Sequence, residues 1–128
     1  MKTLHLVLKR KWWDMIESLE KPEEYRDFTP HWFSRLVDCR IPKTADLATR
    51  YFGYDGRNPN IENFQEDLDG EWILFKRFDA VCFHRGYTNT TMSFEFKGTS
   101  LGKGNPAWGA PDKVLFIIKL GKLIRKNV

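Results

Sequence analysis

The chain has 128 residues, room for one domain with a single hydrophobic core and too little for two of ordinary size. Its 21 Lys and Arg against 17 Asp and Glu leave a net charge of +4 spread along the chain, which permits a polyanionic partner without requiring one. No apolar run is long enough for a membrane-spanning helix, no hydrophobic leader is seen, and Cys39 and Cys82 are too few for a disulfide framework; the expectation is a cytoplasmic protein with free thiols and no membrane partner.

Leu4, Leu6 and Leu8 alternate with Thr3, His5 and Val7, the period-two pattern of a strand with one leucine face. From Lys9 the apolar residues fall at Trp12, Met15, Ile16 and Leu19, which is helical spacing, with Asp14 and Glu17 on the outer side. Pro22 cannot continue a helix and pushes the residue before it into an extended conformation, so this helix is expected to end at the Lys21-Pro22 corner. Glu23 to Asp27 reads as a short extended segment, with Glu24 and Arg26 on one face and Glu23 and Tyr25 on the other. Thr29 followed by Pro30 is an N-cap with proline at the first helical position, and Trp32, Phe33, Leu36 and Val37 supply the stripe of a second short helix.

From Ile41 to Gly70 the composition turns polar, with Asp55-Gly56 and Asn58-Pro59 as turn signals. This stretch predicts an excursion with two short helices, the second capped by Asn60 and carrying Ile61, Phe64 and Leu68 on one face. The remainder is strand-like at Trp72 to Phe75, Ala80 to His84, Met92 to Lys97 and Val114 to Leu120. Met92, Phe94 and Phe96 should point inward, and the unbroken apolar run from Val114 to Ile118 should be buried on both faces. Helices gathered early and mainly antiparallel strands gathered late predict an α+β fold, a curled sheet or small open β-barrel with short helices packed at its ends, in one domain over 1–128.

Lys21, Glu24 and Arg26 are the first candidate site. Lysine is a point charge suited to phosphate, and arginine a planar fork for phosphate or a base edge. The glutamate can orient the arginine, accept from an exocyclic amine or move a proton. The competing reading is a solvated charged turn. In "FHRGYTN", Phe83 to Asn89, Arg85 and Tyr87 project from a glycine turn where cation and ring can meet a nucleotide. In "GKGNPAWGAP", Gly102 to Pro111, Trp108 either plugs the barrel mouth or stacks on a ligand. Lys119, Lys122, Arg125 and Lys126 form either an RNA-contacting tail or a solvated terminal strand. Asn89-Thr90-Thr91 reads as a polar turn. His5, His31 and His84 are scattered and Cys82-x-His84 offers two ligands on one strand face, so no metal and no cofactor is expected.

The runs "KTLHLVLKRKWWDMIESLEKPEEYRD", "FDAVCFHRGY", "MSFEFKG" and "GKGNPAWGAP" resemble the ASCH domain family, in particular its small bacterial and phage members, within the PUA-like superfamily. The resemblance covers roughly residues 2 to 40 and 71 to 124 and leaves out the middle excursion. The family's signature is Gly-x-Lys-x-x-Glu-x-Arg; Lys21, Glu24 and Arg26 match three of its marked positions, and Leu19 stands where the glycine is expected. The resemblance implies a PUA-like barrel with a cleft beside the signature. It implies a module binding RNA or a nucleotide, with single-stranded or modified RNA or a nucleoside-like molecule held by Lys21, Glu24, Arg26, Tyr25, Arg85, Tyr87 and Trp108. Some ASCH-like proteins are similar to amidohydrolases acting on acylated cytidine. On that alternative Lys21 and Glu24 are catalytic, although Glu24 occupies the place of the subgroup's threonine nucleophile. A ribonuclease is a further alternative, and whether the protein is an enzyme stays open.

Overall fold

The alternation at the start of the chain becomes β1, Thr3–Leu8, with Leu4, Leu6 and Leu8 buried and His5 and Val7 on the outside. The computed structural model describes residues 1–40 and 46–127; the first residues of the expected excursion, 41–45, lie outside them. The chain divides into two units, one of Met1–Arg26 with Arg77–Val128 and one of Asp27–Lys76.

The first unit is built on a five-strand sheet in the order β1-β5-β6-β7-β2, where β2 is Glu23–Asp27, β5 Ala80–Arg85, β6 Thr91–Lys103 and β7 Val114–Asn127. β1 and β5 pair in parallel, while β5 with β6 and β6 with β7 pair antiparallel. The long β6–β7 ladder shifts register between Ser93 and Phe94, Phe94 and Phe96, and Phe96 and Gly98. Such irregularities bend a strand and increase its twist, and they curl this sheet into a half-barrel. Leu6, Val81, Phe83, Phe94, Phe116 and Ile118 fill its inner face. Of the run Val114 to Ile118 expected to be buried on both faces, Leu115 to Ile118 are buried and Val114 is half-buried; β7 continues beyond Leu120 to Asn127, so the basic tail is a paired strand.

Helix α1 spans Arg10–Glu17 and packs on β5 through Trp13 and Ile16. It stops one turn before the corner at which Pro22 was expected to end it. The stop is Leu19, whose φ of 66° is left-handed backbone, after which the Lys21 amide donates back to the Met15 carbonyl at 3.0 Å. Leu19 therefore occupies a conformation that glycine adopts without steric cost, at the position where the resembling family carries glycine. Its side chain is exposed rather than part of the helix stripe, and Trp13 is the core residue that periodicity assigned to Trp12. Leu19→Gly is expected to raise stability by up to about 1 kcal/mol, since relief of the left-handed penalty exceeds glycine's added chain entropy. A lower urea midpoint for this variant would contradict the assignment of strain.

The second unit holds α2 (Pro30–Leu36), β3 (Val37–Cys39), α3 (Leu47–Phe52), α4 (Ile61–Asp69) and β4 (Ile73–Phe75). The Thr29 and Asn60 caps are as expected, with Thr29 Oγ1 accepting from the Trp32 amide at 3.4 Å and Asn60 Oδ1 from the Asn63 amide at 2.9 Å. Val37 leaves the helix and opens β3, which pairs antiparallel with β4 in a separate two-strand sheet. Phe28, Phe33, Tyr51, Phe52 and Phe64 make the core by edge-on and tilted ring contacts. Much of the aromatic surplus is thus consumed in packing.

One carboxylate is buried among these rings. Asp67 receives Arg50 in a fork, at 2.7 Å from Nε and 3.0 Å from Nη2, and the Tyr51 hydroxyl donates to it as well. These bonds, the arginine's above all, hold the Asp67 carboxyl below the usual carboxylate range, while burial pushes the Tyr51 hydroxyl up. A depressed carboxylate contributes stability that is complete above its unfolded pKa of about 4 and is lost as pH falls through the folded value. Asp67→Asn should therefore lower stability at neutral pH and flatten the acid loss that begins near pH ~5. Parallel pH profiles of the urea midpoint would show the assignment to be wrong.

Candidate functional site

The turn after α1 brings Lys21 inward. Its side chain is 1% exposed, with Nζ donating to Glu24 Oε1 at 2.8 Å. The ammonium also lies 4.7 Å from the centre of the Trp12 ring and 5.3 Å from that of Tyr25, so two aromatic faces and one carboxylate surround it. Glu24 Oε1 accepts the Tyr25 amide at 2.8 Å, and Oε2 stands 3.2 Å from Arg26 Nη1. The three signature charges converge, and Glu24 is held by both cations. The ammonium is buried within the unit.

Arg26 does a second job. Its Nη1 donates to the Tyr25 carbonyl at 2.8 Å and its Nη2 to the Val7 carbonyl at 3.1 Å. β1 and β2 are the two outer strands of the sheet, so this side chain ties one open edge to the other across the half-barrel. A lysine could not span the two carbonyls with one planar fork.

The glycine-rich loop expected to carry Trp108 closes over the same group. A Cβ on Gly104 would fall 2.5 Å from the Tyr25 ring, and one on Gly109 would fall 2.6 Å from the Trp12 ring, so both glycines are there for close approach. The Asn105 amide donates to the Tyr25 hydroxyl at 3.0 Å, and that hydroxyl donates to Glu23 Oε2 at 2.7 Å. Burial, with the Glu23 carboxylate beside it, pushes the Tyr25 hydroxyl up to about 12. Trp108 is half-buried against Tyr25, Ala110, Leu115 and Ile117.

Beside the turn opens a cleft of about 420 Å³, within the usual size of small-molecule sites. Ile16, Leu19, Phe94, Leu120 and Leu123 give it apolar walls, with Lys21, Glu17 and Lys122 also in its lining. Lys126 donates to Glu17 at 2.5 Å, and this bond, helped more weakly by the charge of Arg85, holds the Glu17 carboxyl below its ordinary value. Arg85 ends β5 opposite Leu8 and is not in the lining of the cleft, and Tyr87 stands fully exposed at the tip of the β5–β6 turn. Sequence reasoning did not assign the cleft's apolar walls, because Phe94, Leu120 and Leu123 meet Leu19 only through the β6–β7 pairing.

The histidines are less scattered than the sequence suggests. β1 adds His5 to the pair Cys82 and His84, and the three ligand atoms lie within 4.8 Å of one another. Both cysteines are free thiols. Among the described residues no helix is long and apolar enough to cross a membrane. No family model, no curated protein and no solved structure matches the chain.

Proposed function

We propose that the protein binds single-stranded or modified RNA by taking one unpaired nucleotide into the cleft beside the Lys21–Glu24–Arg26 turn. The observation that carries this reading is the pairing of apolar walls, suited to the face of a base, with Lys122 in the lining, suited to a phosphate. Of the three signature residues Lys21 lines the cleft, while Glu24 and Arg26 hold the turn and the sheet edges beside it. The same reading places the half-barrel with the PUA-like, ASCH-type modules that its signature resembles.

Titration of a labelled single-stranded oligoribonucleotide at two salt concentrations tests it. Lys122→Glu should weaken binding about tenfold or more and reduce the salt slope by ~1, while Leu123→Asp should weaken binding at both salts alike. Both side chains are exposed, so neither change removes a core contact. Unchanged binding by both variants would overturn the cleft as the site. The amidohydrolase alternative is read in the same samples: acyl release from an acylated cytidine that disappears in Leu123→Asp would make the cleft an active site instead.

A further inference from the structure

We propose that His5, Cys82 and His84 form a binding site for a zinc ion on the outer face of the half-barrel. The parallel register sets His5 beside Cys82, and strand alternation puts His84 on the same face as Cys82, opposite to the leucines of β1. Three ligands from two paired strands are thus fixed by backbone hydrogen bonding rather than by loops.

The distances suit the ion. His5 Nδ1 and His84 Nε2 are 2.9 Å apart, and Cys82 Sγ is 3.8 Å from His84 Nε2. Zinc bonds of 2.0–2.1 Å to nitrogen and 2.3 Å to sulfur, arranged tetrahedrally, separate ligand atoms by roughly 3.3 Å between nitrogens and ~3.6 Å between nitrogen and sulfur. The two observed spacings lie within about half an ångström of those values, and the His5–Cys82 spacing, within 4.8 Å, calls for a closing movement of at most roughly 1 Å. A simple histidine pair would need one N–H···N bond and no sulfur. Here a half-buried thiol completes a set of two imidazoles and one thiol, which suits a borderline-soft d10 ion.

On binding, the ring that donates the N–H between the imidazoles gives that proton up to solvent and takes one back on its distal nitrogen, so both rings stay neutral, with protons on Nε2 of His5 and Nδ1 of His84 and both facing nitrogens free for the metal. The Cys82 thiol binds as thiolate and releases its proton to solvent. Three protein ligands leave a fourth position for water, and exposed His5 leaves that position open. Thr91 and Ser93, opposite His84 and Cys82 on β6, add hydroxyls to the same face. None of the three ligands lines the cleft, so metal uptake and RNA binding are separable.

Chelator-stripped, reduced protein titrated with Co2+ at micromolar concentration tests the site. One equivalent should bind with the visible bands of tetrahedral cobalt and a thiolate charge-transfer band, both abolished by an equivalent of Zn2+. Cys82→Ser should remove the charge-transfer band. His5→Gln and His84→Gln should each weaken Zn2+ uptake at least about tenfold, the loss already typical of removing a supporting partner, whereas Cys39→Ser should change nothing. Circular dichroism verifies that each variant is folded; should His84→Gln fail to fold, His5→Gln on the edge strand carries the reading alone. No stoichiometric uptake, or a charge-transfer band that survives Cys82→Ser, overturns the proposal.

Discussion

Lys21→Ala is expected to lower stability by about 3–5 kcal/mol, the cost of breaking a buried ion pair from one side. The substitution leaves the Glu24 carboxylate, 5% exposed, with the Tyr25 amide and, as its one remaining ion-pair partner among the described residues, Arg26 at 3.2 Å, and it removes the cation from between the Trp12 and Tyr25 rings. Arg26 also has two backbone carbonyls to hold and cannot swing fully onto Glu24 without releasing Val7. Glu24→Ala should cost a similar amount, since it leaves an ammonium enclosed by rings with no carboxylate. The double variant Lys21→Met/Glu24→Leu should recover much of the loss, because apolar groups of similar size need no partner there. Urea unfolding of the parent, Lys21→Met, Glu24→Leu and the double variant forms a complete cycle, with the two alanine variants measured beside it. Single variants within about 1 kcal/mol of the parent would place Lys21 in solvent, since exposed pairs are worth no more than that.

Gly109→Ala should be nearly as damaging. The residue has φ of 92°, and its Cβ would meet two Trp12 ring carbons at 2.6 and 2.7 Å. Left-handed backbone costs a non-glycine residue about 1–2 kcal/mol and overpacking ~1–3 kcal/mol, so roughly 2–5 kcal/mol is expected. Gly86 separates the two contributions, having φ of 56° with nothing within 4 Å of a Cβ. Gly86→Ala should lose only the backbone part, about 1–2 kcal/mol. Equal losses at the two positions would mean that the loop does not press on Trp12, and the enclosure of Lys21 would need another explanation.

Short-range signals were legible in the sequence and long-range ones were not. The leucine face of β1, the Thr29 and Asn60 caps and the doubly buried run of β7 each depend on neighbours within one or two turns of chain. The end of α1 was misplaced because proline is a visible breaker, whereas a leucine in left-handed backbone carries no signal of its own. The burial of Lys21 has no local signal, since lysines are rarely buried. What buries it is an aromatic pair plus a glycine loop, and Trp12, Tyr25 and Gly109 meet only in three dimensions. His5 joins Cys82 and His84 through a parallel pairing across most of the chain, which local patterning cannot reveal. β3 and β4 are too short for alternation to show their pairing.

Across the first unit, residues that read as a ligand-facing charge cluster act as a clamp, and the surface they shape is apolar with a cationic edge. Backbone amide NMR of the labelled protein during addition of a nucleoside monophosphate, and then of a short single-stranded RNA, measures that division of labour directly. The account predicts saturable shifts at Leu19, Gly121, Lys122 and Leu123 with both ligands, and a larger set with RNA that extends toward Arg85 and Tyr87. Shifts confined to the outer face of β1 and β5, or no saturable shifts at all, would contradict it.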